Sequence, residues 1–277
     1  DDEDDERTEE LGALVDAVLG ALQALSDSVA KAHGDAYAPA FQTHLAPVLR
    51  GMLAPPDSPA LVHKALCTFC GGFEFSRAIA ARNADEILPR FVAAARDYAS
   101  VPLRQAGVYS LGVAAVSLGE PFAPQVPACL AVLREVVAHP ASHAPDALVA
   151  TDNAVSAVVK IASAFAPHLD MAETMAFVVA ALPLRADSIE GVLCHDLFCS
   201  LLERFPAETL GAPPAYALAP KVLHIFAQIV DTTFVAASAA PRIAGILRNI
   251  FQHVPQNVLA AAGNECLQKL QVYSSSH

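Results

Sequence analysis

Cys67-Thr68-Phe69-Cys70 is the first arrangement in the chain that could do chemistry, because thiols spaced CxxC can hold zinc or exchange a disulfide. Zinc needs a second pair of ligands, and redox exchange needs the thiols on a turn beside a thioredoxin-like strand. Neither accompanies this pair. On a helix the two thiols are i and i+3 on one face, where small buried hydrophobes account for them. Cys194-His195 with Cys199 makes a second apparent cluster, but an i to i+5 offset points the thiols to different sides of a helix. The ten histidines include no HExxH and no partner at ligand spacing. Gly71-Gly72 lacks the Lys-Ser/Thr of a phosphate loop, and neither GxGxxG nor GxSxG occurs. These residues predict no enzyme, no cofactor and no metal site.

Charge is more informative. Seventeen Lys and Arg against 29 Asp and Glu give a formal charge of −12, which repels phosphate backbones and attracts cationic peptides. Nucleic acid is therefore not an expected partner. The run Asp1-Asp2-Glu3-Asp4-Asp5-Glu6 is expected as a disordered leader or loop over residues 1–7; its functional alternative is an acidic loop that competes for basic segments. Other Asp and Glu side chains default to solvated helix faces.

The elements that would position these residues are helices. From Leu11 the apolar positions Leu14, Val15, Val18, Leu22, Leu25 and Val29 form an i, i+3, i+4, i+7 stripe. Gly34 is placed to stop that helix, and Asp35 to begin another whose apolar positions are Phe41, Leu45, Val48, Leu49 and Met52. Pro55-Pro56-Asp57-Ser58 breaks the chain. The same pairing predicts 59–82 with 84–98, 101–119 with 121–138, 146–166 with 170–183, 188–205 with 215–230, and 238–253 with 255–272. No segment alternates with period two strongly enough to be a strand. Pro47, Pro89 and Pro127 recur about 40 residues apart and Pro220 falls about two periods later, the interval of paired-helix HEAT or armadillo units. The prediction is all-α: a right-handed α-solenoid of about six HEAT repeats, forming one array over 8–277. At 54% hydrophobic and 6% aromatic with no Trp, alanine and aliphatics fill its core. Six dispersed cysteines fit a reducing compartment. Met175–Leu184 is short of the roughly 20 residues a bilayer span needs, so no membrane insertion is expected. A start at Asp1 instead of Met leads us to expect a fragment of something longer.

Particular residues carry a resemblance. Pro102-Leu103-Arg104-Gln105-Ala106-Gly107-Val108-Tyr109-Ser110-Leu111-Gly112 resembles the HEAT helix of nuclear transport receptors, with Asp97 at the acidic position that pairs with the Arg between neighbouring repeats. Ala150-Thr151-Asp152-Asn153-Ala154-Val155-Ser156-Ala157-Val158-Val159-Lys160-Ile161 is similar to the importin-beta (karyopherin-beta) family, and Leu182-Pro183-Leu184-Arg185-Ala186-Asp187 follows at that family's distance. The likeness covers most of the chain and implies the C-terminal third of such a receptor. It implies further that Asp97 and Arg104 form an inter-repeat ladder. Second helices would line a concave face, so that Asp85, Glu86, Glu135, Asp170 and Glu173 accept a lysine-rich nuclear localisation signal. The implied partners are cargo with basic import signals, phenylalanine-glycine nucleoporins, and Ran-GTP through N-terminal repeats absent here. The implied location is cytoplasm and nucleus, shuttling through the pore. A HEAT scaffold that assembles folded partners is the alternative.

Overall fold

The computed structural model describes residues 2–54 and 58–277, and every regular element among them is helical. Twelve helices of eight residues or more carry the fold: α1 Asp2–His33, α2 Ala46–Leu53, α3 Pro59–Phe75, α4 Arg77–Ala95, α5 Val101–Leu118, α6 Val126–Ala138, α7 Leu148–Phe165, α8 Met171–Ala181, α9 Ser188–Arg204, α10 Ala219–Ile229, α11 Ala240–His253 and α12 Asn264–Ser276. Short polar side chains start many of them. Ser58, Ser76 and Ser100 stand extended before α3, α4 and α5 and accept the N–H of Leu61, Ile79 and Leu103. Asp170 and Asp187 do the same for α8 and α9 through Glu173 and Glu190.

The recurring prolines have a local cause. Pro127 and Pro220 sit in the first turns of α6 and α10, where a missing N–H leaves no bond unmade, whereas Pro47 follows directly on the π-helical turn Phe41–Leu45 inside a helical run that begins before it. Pro127 and Pro220 therefore mark the start of the second helix of a pair. Pro89 differs, lying in the interior of α4. The break expected between 82 and 84 is absent; it falls at Ser76, whose extended backbone (φ −143°) ends α3 and caps α4. Gly34 stops α1 in the left-handed region at φ +54°, as its position suggested. The acidic run expected as a disordered leader or loop enters α1 at Asp2, while Asp1 and the Pro55-Pro56-Asp57 break lie outside the described residues.

Packing divides the chain into two compact units, Asp1–Phe122 and Ala123–His277, where a single array over 8–277 was expected. Each has its own aromatic-centred core. In the first, Phe41 meets Phe69 at 5.8 Å and Phe73 meets Phe91 at 5.7 Å between ring centroids. In the second, Phe198 of α9 meets Phe226 of α10 at 6.0 Å. At Gly107 the backbones of α4 and α5 nearly touch: a Cβ there would stand 2.2 Å from the Ala95 nitrogen. Two stretches, Gly12–Leu53 and Pro145–His168, are long and apolar enough to cross a bilayer by length and composition, contrary to the expectation from 175–184. Pro145–His168 is the core helix α7 with its flanks, 72% buried, a placement that satisfies the same pattern.

Candidate functional site

The five acids expected to receive a basic peptide do lie on or beside second helices: Asp85 and Glu86 on α4, Glu135 on α6, Asp170 and Glu173 at the start of α8. Several already have work. Glu86 accepts from Arg50 Nε at 2.7 Å, and the same guanidinium donates to Asn83 Oδ1 at 2.8 Å. Glu173 is bonded by Arg134, which lies 5.5 Å from the Phe177 ring centroid. Asp170 spends Oδ1 on the Glu173 N–H at 3.0 Å. Asp85 and Glu135 are exposed. The row is partly neutralised by arginines of the preceding second helices, α2 and α6.

Asp97 and Arg104 do not form the expected ladder. Asp97 Oδ1 accepts the N–H groups of Ala99 and Ser100 at 2.9 and 3.0 Å, which shapes the turn into α5. Arg104 is 1% exposed, its Cζ 5.3 Å from the Tyr98 ring centroid, and its Nε and Nη1 have no hydrogen-bond partner. One carboxylate oxygen is thus spent on the turn that leads into α5.

Inter-pair bonds are made by other residues. Six basic side chains each reach the neighbouring pair: Arg50 to Glu86, 36 residues away; Arg77 to the Leu118 carbonyl, 41; Arg134 to Glu173, 39; Arg204 to the Ser163 carbonyl, 41; Arg242 to Glu203, 39; and Lys269 to the Ala227 carbonyl, 42. Arg242 is the most heavily bonded, donating also to Asp196 at 2.6 Å and Ser200 at 2.8 Å. Its hydrogen bond to Glu203 holds that carboxyl below the usual range and pushes the guanidinium up. Beside it open two clefts between α9 and α11. One, of about 390 Å³, is lined by Leu202, Leu210, Ile246 and Ile250; the other, of about 410 Å³, by Ile189, Leu193, Val235 and Ile243. Ile189 is 88% exposed, so apolar surface is presented there to solvent.

A buried polar cluster joins α7 to α9. Asp152 Oδ2 accepts three consecutive N–H groups, from Arg185, Ala186 and Asp187, at 2.6 to 2.9 Å. Asn153 donates to Asp187 at 2.8 Å, and Asp187 in turn caps α9. One and two turns further along α7, Ser156 and Lys160 both bond Glu190, whose side chain is only 8% exposed. A Ser and a Lys one turn apart could in principle make an activated nucleophile. Here both are spent on a carboxylate inside the helix packing, and none of the three lines either cleft.

The thiols follow their helical placement. Cys67 and Cys70 lie on α3, and burial pushes Cys67 up to about 11; Cys199 is pushed to about 12 and Cys194 upward too. Thiols held protonated are weak nucleophiles and weak metal ligands. No group of three or more His, Cys, Asp or Glu among the described residues could hold a metal ion. No protein-family model matches the chain.

Proposed function

We propose that this chain is an α-solenoid of HEAT-type pairs forming part of an importin-beta-type nuclear transport receptor, a protein-binding array without catalysis. The observation that carries the repeat reading is the set of six basic side chains bonding one pair to the next at separations of 36 to 42 residues. A recurrent link at one-repeat spacing is what nearest-neighbour stacking requires. The transport reading adds the resemblance at 102–112, 150–161 and 182–187. Cargo with basic import signals would be drawn by the net charge of −12. It would meet Asp85 directly, and Glu86 and Glu173 only in competition with Arg50 and Arg134. Phenylalanine-glycine nucleoporins would seat side chains in the clefts beside Arg242, and Ran-GTP would bind repeats outside this chain.

The partial neutralisation of the acidic row favours one second reading, a scaffold for folded partners. Fluorescence anisotropy with a lysine-rich import-signal peptide separates the two. The transport reading expects binding that weakens steeply with salt, since exposed charges are screened beyond about 8 Å at physiological ionic strength. Charge reversal at Glu135 and Glu173 should weaken it further. Salt-independent binding, or binding unchanged after both reversals, would remove the acidic-surface mechanism; capture of folded proteins but not the peptide would favour the scaffold.

A further inference from the structure

Helix α9 carries a histidine with both ring nitrogens engaged. His195 is 1% exposed; the Leu184 N–H donates to its Nε2 across 3.3 Å, and its Nδ1 lies 3.0 Å from the Phe234 carbonyl oxygen. A backbone N–H only donates and a carbonyl only accepts, so the ring is neutral with its proton on Nδ1. Three pieces of chain meet on that ring: the segment between α8 and α9, α9 itself, and the loop between α10 and α11.

The loop is fitted to its seat. The Phe234 ring lies in a notch left by Gly191, one turn before His195, where a Cβ would stand 2.5 Å from Phe234 Cδ1. Asp231, at the start of the loop, holds φ +63°, a region that residues other than glycine rarely adopt. Val235 and Ala236, immediately after the phenylalanine, form one wall of the 410 Å³ cleft, and His195 forms part of its floor.

We propose that His195 is an acid-sensitive latch. Neutral, it ties residues 230–236 and the Leu184 backbone to α9; protonated, it keeps the Phe234 bond through Nδ1–H but expels the Leu184 N–H and loosens the segment leading into α9. The reason is donor count, because imidazolium has two donors and no acceptor, so the Leu184 N–H loses its acceptor and confronts another N–H. Burial, the largest influence on the ring, holds its pKa below the ordinary 6.5. The Phe234 bond and Asp152 of α7 act the other way, but Asp152 Oδ2 already serves three backbone N–H groups. The other charges around the cleft and cluster are paired: Asp196 of α9 with Arg242 of α11, and Lys160 of α7 with Glu190 of α9. Because the closed form has the lower pKa, closure is complete above about pH 6.5 and weakens as pH falls toward the closed-state value.

Hydrogen exchange of the full chain at about pH 7.5 and about pH 5.5, on either side of histidine's ordinary value and corrected for intrinsic rates, tests this. Protection of 182–187 should drop by up to about tenfold per pH unit below 6.5, while 230–236, still bonded through Nδ1–H, holds steady. His195→Gln supplies both an acceptor and a donor, so it should keep 182–187 protected at neutral pH and abolish its pH response. Unchanged protection in the wild type, or a full response in His195→Gln, overturns the latch. Should that variant not fold, NMR titration of the wild-type His195 ring decides: the ring must titrate where 182–187 opens, and a ring still neutral at that pH overturns the proposal.

Discussion

Two joints between successive helical pairs are built on opposite principles. In the first compact unit α4 meets α5 backbone to backbone. At Gly107 any side chain would collide with the Ala95 nitrogen at 2.2 Å and the Phe91 oxygen at 2.7 Å, beside the edge-to-face pair Phe73 and Phe91. In the second unit α7 meets α9 through Lys160, Ser156, Asn153 and Asp152, every one bonded to the neighbouring helix or its leading segment. One joint is specified by a missing side chain and the other by mutual satisfaction of charge. The dry joint should fail when atoms are added, the polar one when a single partner is removed.

The largest effect belongs to the polar joint. Lys160→Met leaves Glu190 charged and buried, which should cost about 3–5 kcal/mol in chemical denaturation. Pairing it with Glu190→Leu removes both charges and should restore most of that loss, because well-packed apolar replacements of buried ion pairs are often neutral. A double variant as unstable as the single would mean that packing, not charge satisfaction, holds α7 to α9.

Next comes the dry joint. Gly107→Ala gains up to about 1 kcal/mol of helix propensity yet forces a methyl group onto backbone atoms that cannot rotate away. Overpacking of this kind costs about 1–3 kcal/mol, so a net loss is expected. A stabilised variant would break the comparison.

These joints were unequally legible in the sequence. Helix periodicity, the Gly34 stop and the spacing of Pro47, Pro127 and Pro220 follow from rules acting within a few residues, and the structure has all of them. Ser76 was legible in principle, as a serine three residues before an apolar position, but the uninterrupted helical pattern of 59–82 hid it. The polar joint was not. Asp152 and Lys160 look like members of a solvated face when α7 is read alone, since their partners lie 30 or more residues away in α9 and its leading segment. Asp97 and Arg104 failed for a different reason: the resemblance suggested a pair, while two backbone N–H groups next to Asp97 were nearer claimants. A search for opposite charges one repeat apart would have found Arg50 with Glu86 and Arg134 with Glu173.

A smaller effect sharpens the dry side. Arg104 is a buried cation with two nitrogens unpartnered, set against the Tyr98 ring. A buried unpaired charge costs several kcal/mol, whereas a desolvated cation–π contact returns about 2, so Arg104→Met should raise stability by about 1 kcal/mol or more. A double-mutant cycle of Arg104 with Asp97 should show coupling near zero. Marked destabilisation by Arg104→Met would mean the guanidinium has an essential acceptor.

The smallest effect lies on the exposed ladder, where α2 meets α4. Arg50 and Glu86 are 35% and 50% exposed, so their 2.7 Å pair works in high dielectric and must offset the freezing of two long side chains. A cycle of Arg50→Ala and Glu86→Ala should return about 0.2–1 kcal/mol, shrinking as salt rises. The second bond, from Arg50 to the buried Asn83, is less screened and makes Arg50→Ala the costlier single change. Glu86→Ala would then tell most about the proposed binding, since it removes an acid from the row proposed to receive the peptide while leaving the fold nearly as stable. If the cycle instead gave the several kcal/mol expected of Lys160 and Glu190, exposure would not be what separates the ladder from the buried joint. The contrast between the two would then have to be rebuilt on geometry alone.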